Sequence, residues 1–240
     1  MRSIGAPLVP QILETSFTSD SPYFTMSYVP GVHKPYDTLT VAELKTLGAQ
    51  VARLHAIRKR TFATGYLALA DKPGTHYDYL SHNTKNMNVM DTDYSQDLLI
   101  KTALQTLQKM MSPKYFWRKT FSMIHGDLNA HNILWRGRNI SIIDWEGARY
   151  GDPADEIAYI KAINRLTDTQ FENFLCGYLP LAPDPDITNR LPTYELKNRI
   201  FDVMWALGSK QHANTVKEQS YFQRAYDIRA TDLRTFLKTL

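Results

Sequence analysis

The stretch from residue 121 to residue 153 constrains the fold most, because short apolar segments alternate in it with polar, turn-forming residues. Apolar segments of about four residues, bounded by Gly, Asn or Asp, are typical of short strands. Asp127, Asn132 and Asp144 lie beside these segments, at strand ends and in loops, where side chains can converge on a ligand. A hairpin of the second and third segments, joined through residues 136–139, would bring Asn132 and Asp144 close together. The predicted strands are Phe121–Ile124, Ile133–Trp135 and Ile140–Ile143.

The polar residues of this stretch suit the chemistry of phosphate groups. Mg²⁺ is usually held by one or two carboxylates together with substrate phosphates, and Asn132 and Asp144 fit that ligand set. Asp127 could instead accept a proton from an attacking hydroxyl group, as the aspartate of the kinase catalytic loop does. The spacing from Asp127 to Asn132 is that of the kinase loop, and the segment 143–146 stands where kinases carry their metal-binding Asp-Phe-Gly.

Three motifs, in this order, resemble those of the aminoglycoside phosphotransferase and choline kinase family of small-molecule kinases. They are HGDLNAHN at 125–132, IDWE at 143–146 and GDPADEIA at 151–158. The third departs slightly from the family pattern GDPxxDLA, since Glu156 stands at the usual aspartate position and Ile157 replaces leucine. The resemblance implies a protein-kinase-like α+β fold.

That fold would consist of a remnant small β lobe with the hinge at residues 1–31 and a large, mainly helical C-terminal lobe at residues 32–240. The implied activity is ATP- and Mg²⁺-dependent phosphorylation of a hydroxyl group on a small molecule. Asp127 would be the catalytic base, and Asn132 and Asp144 would bind the metal. The loop would be organised by His125 and stabilised by Asp152.

The family's hinge binds adenine through backbone groups, and residues 26–31 of this chain are similar to it. This resemblance assigns nucleotide binding to Ser27, Tyr28 and Val29. Two β-like runs before the hinge, residues 11–17 and 23–28, predict a hairpin.

The small lobe of the resembled kinases also contains a phosphate-binding loop and a lysine that pairs with a glutamate. Here Gly5 is the only glycine before Gly31, and no lysine precedes Lys34. We therefore expect the chain to lack the start of the N-terminal lobe, and the lysine–glutamate pair cannot be assigned.

Elsewhere, apolar residues at three- and four-residue steps predict helices. Residues 61–93 are irregular and predict a loop, and residues 179–192, with their prolines, predict a connector. We expect His55, at the end of the first helical stripe, to be a structural, hydrogen-bonded histidine. The predicted helices are at 39–59, 94–111, 153–166, 168–178, 193–213 and 217–239.

Composition narrows the class of protein. The single cysteine, Cys176, excludes an intrachain disulfide, fits a reducing compartment and lies in a helical pattern that predicts a buried thiol. A net charge of +4 without a dense basic run argues against a nucleic-acid partner. No leader segment and no apolar run of about 18 residues is present, so we expect a soluble, cytoplasmic protein without a membrane partner.

Two other function classes fit some of the same residues. A truncated, non-catalytic kinase-like binding protein would explain the absent lysine. A metal-dependent hydrolase could use His125, Asp127, His131 and Asp144 as ligands of a transition metal. The hydrolase leaves Asn132 and the two later motifs unexplained. The motifs do not define the acceptor substrate or the oligomeric state.

Overall fold

The computed structural model describes residues 9–16, 23–63, 71–85, 87, 92–182 and 184–240. Within these ranges the chain forms a mixed structure of helices and four small antiparallel sheets. Residues 1–8 and 17–22 of the predicted small lobe lie outside the described residues, as do parts of the predicted loop 61–93. The helices are α1 (Val41–His55), α2 (His76–Lys85), α3 (Leu98–Met110), α4 (Pro153–Ile163), α5 (Asp168–Tyr178), α6 (Leu191–Gln211) and α7 (Val216–Leu237). The strands are β1 (Ile12–Ser16), β2 (Tyr23–Met26), β3 (Arg58–Lys59), β4 (Thr61–Ala63), β5 (Asp71–Pro73), β6 (Phe121–Ile124), β7 (Ile133–Arg136), β8 (Asn139–Ile142) and β9 (Arg149–Gly151).

The predicted N-terminal hairpin is present as the antiparallel pair β1–β2, in which Ile12 lies opposite Met26. Most of its side chains are exposed. After β2, the backbone N–H of Ser27 donates to the carbonyl of Gln11 at 2.8 Å, which continues the pairing beyond the strands. The chain then reaches Val32, which forms an isolated bridge to the central hairpin.

The central hairpin, β7–β8, has Ile133 opposite Ile142 and turns at Gly137. Gly137 has a φ of 60°, a left-handed conformation that glycine adopts without steric cost. The register confirms the predicted strand pair, although β8 begins and ends one residue earlier than expected. Backbone groups of Trp135 and Val32 exchange two hydrogen bonds of 3.0 and 2.9 Å, so the segment after the N-terminal hairpin is docked on the central one.

Strand β6 is the middle strand of a three-stranded antiparallel sheet, between β3 and β9. Phe121 and Ile124, at its two ends, are fully buried. A Cβ atom at Gly151 of β9 would lie only 2.7 Å from the Ile124 side chain and from the Tyr79 hydroxyl, so the packing leaves no room for one. The strand therefore holds the residues that follow it in a fixed position.

Helices α1 and α5 pack with their backbones in contact. A Cβ atom at Gly48 would overlap the carbonyl oxygen of Phe174, and one at Gly177 would overlap the carbonyl oxygen of Lys45. Each helix thus contributes one glycine at which only a hydrogen atom fits. This close approach buries the apolar stripe of α1 that the sequence predicts, including Leu44, Leu47, Val51 and Leu54.

The start of α1 has a capping box, formed by Thr40 and Glu43. The Glu43 backbone N–H donates to Thr40 Oγ1 at 3.3 Å, and the Thr40 backbone N–H donates to Glu43 Oε2 at 2.9 Å. Lys34 Nζ also donates to Glu43 Oε1 at 2.6 Å. The hydrogen bond from Lys34, followed by those from Thr40, lowers the pKa of Glu43 to about 2.

We predict that Glu43→Gln makes stability less dependent on pH. Glutamine retains the capping box, as Gln170 does in α5, but loses the charge. Because the folded pKa is depressed, the carboxylate contributes stability above its ordinary value of about 4.3 and loses it as pH falls toward 2. The variant should lose about 0.5 kcal/mol of unfolding free energy at pH 7, a value typical of a partly exposed ion pair.

Urea denaturation between pH 3 and pH 7 measures the difference in unfolding free energy between wild type and Glu43→Gln. This difference should become smaller below about pH 4.3. Glu218→Gln makes the same replacement in the capping box of α7, and it is the control for the effect of glutamine on the capping hydrogen bonds. Equal differences between wild type and Glu43→Gln at pH 3 and pH 7 would contradict the prediction.

The predicted loop at residues 61–93 is wrong in part, because its described residues include β4, β5 and α2. Thr75 and Asp78 cap α2 reciprocally: the Asp78 N–H donates to Thr75 Oγ1 at 3.3 Å, and the Thr75 N–H donates to Asp78 Oδ2 at 2.7 Å. The helix buries His76, Tyr79 and Leu80 among polar neighbours. With so few apolar residues, its sequence has too weak a helical period to be recognised.

The other predicted helices are present, with shorter limits or ends shifted by a few residues. Cys176 is exposed, and the prediction of a buried thiol is wrong. Helix α5 buries Phe171, Phe174 and Tyr178, and Cys176 falls on the opposite face. Among the residues described, we find no helix that is long and apolar enough to cross a membrane.

Candidate active site

The loop after β6 begins with two residues whose conformations are closely restricted. His125 is fully buried, and its Nε2 bonds to the carbonyl of Ile143 at 2.9 Å. Its Nδ1 accepts from the backbone N–H of Asp127 at 3.3 Å, which places the ring proton on Nε2. Gly126 has a φ of 85°, and a Cβ there would lie 2.6 Å from the carbonyl oxygen of Gly147. These contacts support the expectation that His125 organises the loop.

The carboxylate of Asp127 is surrounded by hydrogen-bond donors. Its Oδ1 accepts from Asn129 Nδ2 at 3.0 Å and from the Tyr159 hydroxyl at 2.5 Å. Its Oδ2 accepts from Asn132 Nδ2 at 3.0 Å. Three donors therefore fix the orientation of the side chain that the sequence singles out as the catalytic base.

Asn132 joins Asp127 to the central hairpin. Its Nδ2 donates to both the carbonyl oxygen and the Oδ2 of Asp127, at 2.8 and 3.0 Å. Its own carbonyl accepts from the Ile143 N–H at 3.0 Å, across the hairpin end. Because the amide group uses its nitrogen toward Asp127, its Oδ1 is turned away from that residue and can act as a ligand.

Asp144 follows Ile143 directly, so the hairpin register places it beside Asn132, as the sequence predicts. It has φ 64° and ψ 62°, a left-handed conformation that aspartate tolerates better than most residues. Its side chain is exposed. Trp145 holds the next turn, since its Nε1 donates to the carbonyl of Ile142 at 2.8 Å and its ring packs against His125 at 4.8 Å.

The donor set fits Mg²⁺ better than a transition metal. An amide oxygen and an exposed carboxylate are hard ligands, and Mg²⁺ takes its remaining positions from water and phosphate. In the described part of the chain, no group of three or more His, Cys, Asp or Glu residues is arranged to hold a metal ion. Both ring nitrogens of His125 are already in hydrogen bonds. The hydrolase alternative therefore lacks its ligand cluster among these residues.

Residues of α4 and the residue just after it form hydrogen bonds with the loop that contains Asp127. Glu156 Oε1 accepts from the Gly126 N–H at 2.7 Å, and Glu156 Oε2 bonds to His55 Nε2 at 2.9 Å. Asn164, just after the helix, donates to the carbonyl of Leu128 at 3.1 Å. His55 is fully buried, in agreement with its predicted structural role. The glutamate that replaces the family's usual aspartate thus links α1, α4 and the loop.

Asp152 belongs to a buried ion cluster at the start of α4. It caps the helix by accepting from the Ala154 N–H at 3.0 Å, and it accepts two hydrogen bonds from Arg190 at 2.8 and 2.9 Å. His76 Nδ1 lies 3.1 Å from Asp152 Oδ2, the oxygen that also accepts from Arg190 Nε, and Arg190 also pairs with Asp184. Burial alone would raise the pKa of Asp152, but His76 and Arg190 together hold it well below the usual range. Its role is to fix α4 and the loop above it.

The predicted hinge residues lie between the two hairpins. The N–H of Ser27 is used by Gln11, whose own N–H donates to Ser27 Oγ at 2.9 Å. Tyr28 is 87% exposed. Within the part of the chain that is described, no hydrogen bond to the backbone of Tyr28 or Val29 is formed. The backbone groups of Tyr28 and Val29 are available for hydrogen bonds to the adenine of a nucleotide, whereas the N–H of Ser27 is not.

Sequence reasoning missed Tyr159 and Asn129, the two further donors to Asp127. A signal for Tyr159 is present in the sequence. It lies three residues after Glu156, on the same face of α4, and that face also holds the loop. Asn129 lies within the HGDLNAHN motif, at a position where no specific residue was expected.

Comparisons with known proteins point to the same class of proteins as the three sequence motifs. The model of the family described as the phosphotransferase enzyme family matches residues 2–188. Viomycin phosphotransferase from Streptomyces vinaceus is 25% identical over 159 residues, which are 60% of this chain and 51% of the relative. The chain therefore spans about half the length of this curated relative.

Solved structures show the same fold. The aminoglycoside phosphotransferase APH(4)-Ia, as a thermostable mutant in a ternary complex with ADP and hygromycin B, matches with a TM-score of 0.64 and 18% identity, over 96% of this chain and 78% of that one. A choline/ethanolamine kinase family protein from Mesorhizobium loti matches with a TM-score of 0.62 and 17% identity, over 95% and 73%. The predicted protein-kinase-like α+β fold is confirmed.

Proposed function

The chain belongs to the phosphotransferase enzyme family, and from this membership we propose that it transfers the terminal phosphoryl group of ATP to a hydroxyl group of a small molecule. The observation that carries the proposal is the pair of hydrogen bonds from Asn132 to Asp127, at 2.8 and 3.0 Å. They join the proposed base to one proposed metal ligand. The second proposed ligand, Asp144, follows Ile143, whose N–H donates to the backbone carbonyl of Asn132. Phosphoryl transfer depends mainly on positioning and charge stabilisation, which this arrangement supplies.

Each residue has one role in the proposal. Asp127 orients the acceptor hydroxyl and accepts its proton as the hydroxyl oxygen bonds to the terminal phosphorus of ATP and the bond from that phosphorus to ADP breaks. Asn132 Oδ1 and the Asp144 carboxylate hold Mg²⁺, which supplies neutralisation of the charge on the nucleotide phosphates. The segment of Ser27, Tyr28 and Val29 binds the adenine of the nucleotide through the backbone groups of Tyr28 and Val29.

The acceptor is a small molecule that carries a hydroxyl group. One structural neighbour was solved with ADP and hygromycin B, and the curated relative is a viomycin phosphotransferase. We also propose that residues 1–31 form a small lobe and residues 32–240 the large lobe, and that the protein acts in the cytoplasm, where ATP is available.

Calorimetry of Mg²⁺-ATP binding to this chain, with Asp144→Ala as the variant, tests the proposal. We expect wild type to bind ATP only with Mg²⁺, and Asp144→Ala to bind it at least about tenfold more weakly. Mutation of residues that only orient the ligands of a metal lowers metal affinity by about 10- to 100-fold. Loss of a ligand itself should lower the affinity at least as much.

Asp168→Ala is the matched control, because that carboxylate is exposed on α5 and pairs with Lys161. It should leave nucleotide affinity unchanged. Binding that requires neither Mg²⁺ nor Asp144 would overturn the metal assignment. Binding without turnover of any hydroxyl acceptor in a screen would favour the non-catalytic binding protein instead.

A further inference from the structure

Tyr159 lies on α4 and reaches the reactive side chain of the proposed site. It is half-buried, and its hydroxyl donates to Asp127 Oδ1 at 2.5 Å. The bond connects residues 32 positions apart in the chain. No motif of the sequence includes Tyr159, so its contact with Asp127 is a property of the fold.

The carboxylate of Asp127 can accept only a limited number of hydrogen bonds. A carboxylate has about four lone-pair positions, two on each oxygen. Tyr159 and Asn129 fill both positions on Oδ1, and Asn132 fills one on Oδ2. Among the described residues, the remaining position on Oδ2 is the one left for an acceptor hydroxyl.

We propose that Tyr159 is a positioning residue, which locks the rotation of the Asp127 carboxylate so that one lone pair of Oδ2 faces the acceptor hydroxyl. This inference rests on the proposed function, because it assumes that Asp127 is the base. Asn129 lies on the same loop as Asp127, and Asn132 joins that loop to the central hairpin, whereas Tyr159 belongs to α4. Among the described donors to Asp127, Tyr159 is therefore the one that ties the carboxylate to the helical part of the fold.

The helix that carries Tyr159 is firmly held. Asp152 caps its first turn, and Glu156, one turn before Tyr159, bonds to both Gly126 and His55. A tyrosine side chain has only two rotatable bonds before its rigid ring. A hydroxyl on such a support holds its partner more tightly than a surface side chain would.

Tyr159→Phe tests the inference, since it removes the donor and keeps the ring. We expect kcat to fall by about 10- to 100-fold, because small displacements of catalytic groups cost about that much. The KM values for nucleotide and acceptor should stay within about twofold, because neither binding surface changes. A purely structural role would reduce the amount of folded enzyme and leave the kcat of the folded fraction unchanged.

The chain offers a matched control in Tyr226→Phe. The Tyr226 hydroxyl also donates to a carboxylate oxygen, Asp97 Oδ2, at 2.5 Å, and this pair joins α7 to the start of α3. The control removes the same kind of bond outside the site. Its kcat should match that of wild type.

A second measurement does not depend on activity. A double-mutant cycle of Tyr159→Phe with Asp127→Ala, read from the unfolding equilibrium constant, should show a coupling of about tenfold or more, as expected for a hydrogen bond to a charged group. The cycle of Tyr226→Phe with Asp97→Ala gives the reference value. Additive effects in the first cycle would overturn the inference.

The outcomes separate the two proposals. A wild-type enzyme that is active, with Tyr159→Phe retaining its kcat within about twofold, would overturn the positioning role and leave the proposed function intact. A wild type that phosphorylates no acceptor would overturn the proposed function, and the catalytic role of Tyr159 with it. Loss of kcat in Tyr159→Phe but not in Tyr226→Phe, together with a coupled first cycle, is the result that we expect.

Discussion

Asp127→Asn is expected to lower kcat by about 10²- to 10⁴-fold, the range that general-base catalysis contributes, while nucleotide affinity stays within about twofold. An amide cannot accept the proton of the acceptor hydroxyl. It also disturbs the site, because Asn129, Asn132 and Tyr159 all donate to the carboxylate. The amide nitrogen would have to face at least one of these donors. Steady-state release of ADP with an acceptor measures kcat, and calorimetry measures nucleotide binding.

Asp97→Asn provides the control for this change. Asp97 also accepts a hydrogen bond from a tyrosine, Tyr226, and caps α3 at Ile100. Its replacement changes a carboxylate to an amide in a similar environment away from Asp127. Equal values of kcat for Asp127→Asn and wild type would refute the assignment of the base.

Asp152→Ala is expected to lower the free energy of unfolding by about 3–5 kcal/mol, the cost of breaking a buried ion pair. The substitution leaves the fully buried guanidinium of Arg190 without its bidentate partner and removes the cap of α4. Denaturant unfolding at pH 7 measures the loss. Asp232→Ala is the control, because its bridge to Arg199 is half-exposed and should be worth at most about 1 kcal/mol.

The effect of Asp152 also depends on pH. Its pKa is depressed in the folded protein, so the carboxylate contributes stability above its unfolded value of about 3.9 and loses it as pH falls below that value. The difference between wild type and Asp152→Ala should therefore be full at pH 7 and smaller at pH 3. A variant within about 1 kcal/mol of wild type at pH 7 would contradict the prediction.

The central hairpin shows how much could be predicted from the sequence. Alternating apolar and turn residues located both strands, and their register places Asn132 beside Ile143 and Asp144. These contacts are local in sequence, so the pattern of residues is sufficient to predict them. The roles assigned to Asp127, Asn132 and Asp144 stay predictions until the variants above are measured.

Contacts between distant elements could not be predicted in this way. Tyr159 meets Asp127 because α4 packs under the loop, and Arg190 meets Asp152 across 38 positions of the chain. Helical periodicity states which face of α4 is buried but not which residue lies opposite. The same limit explains Cys176, whose apolar neighbours suggested burial although its own face of α5 points outward.

The paired glycines of α1 and α5 have a mechanical consequence. Packed helices usually accommodate domain motion by shear, in which interdigitated side chains slide by small steps. At Gly48 and Gly177 main-chain atoms of the two helices meet directly, so no side chain is available to change its rotamer. We therefore expect the two helices to move as one rigid unit. Any movement of the β1–β2 hairpin relative to these two helices would have to bend the chain at residues 27–31, because two hydrogen bonds hold Val32 on Trp135 of the central hairpin.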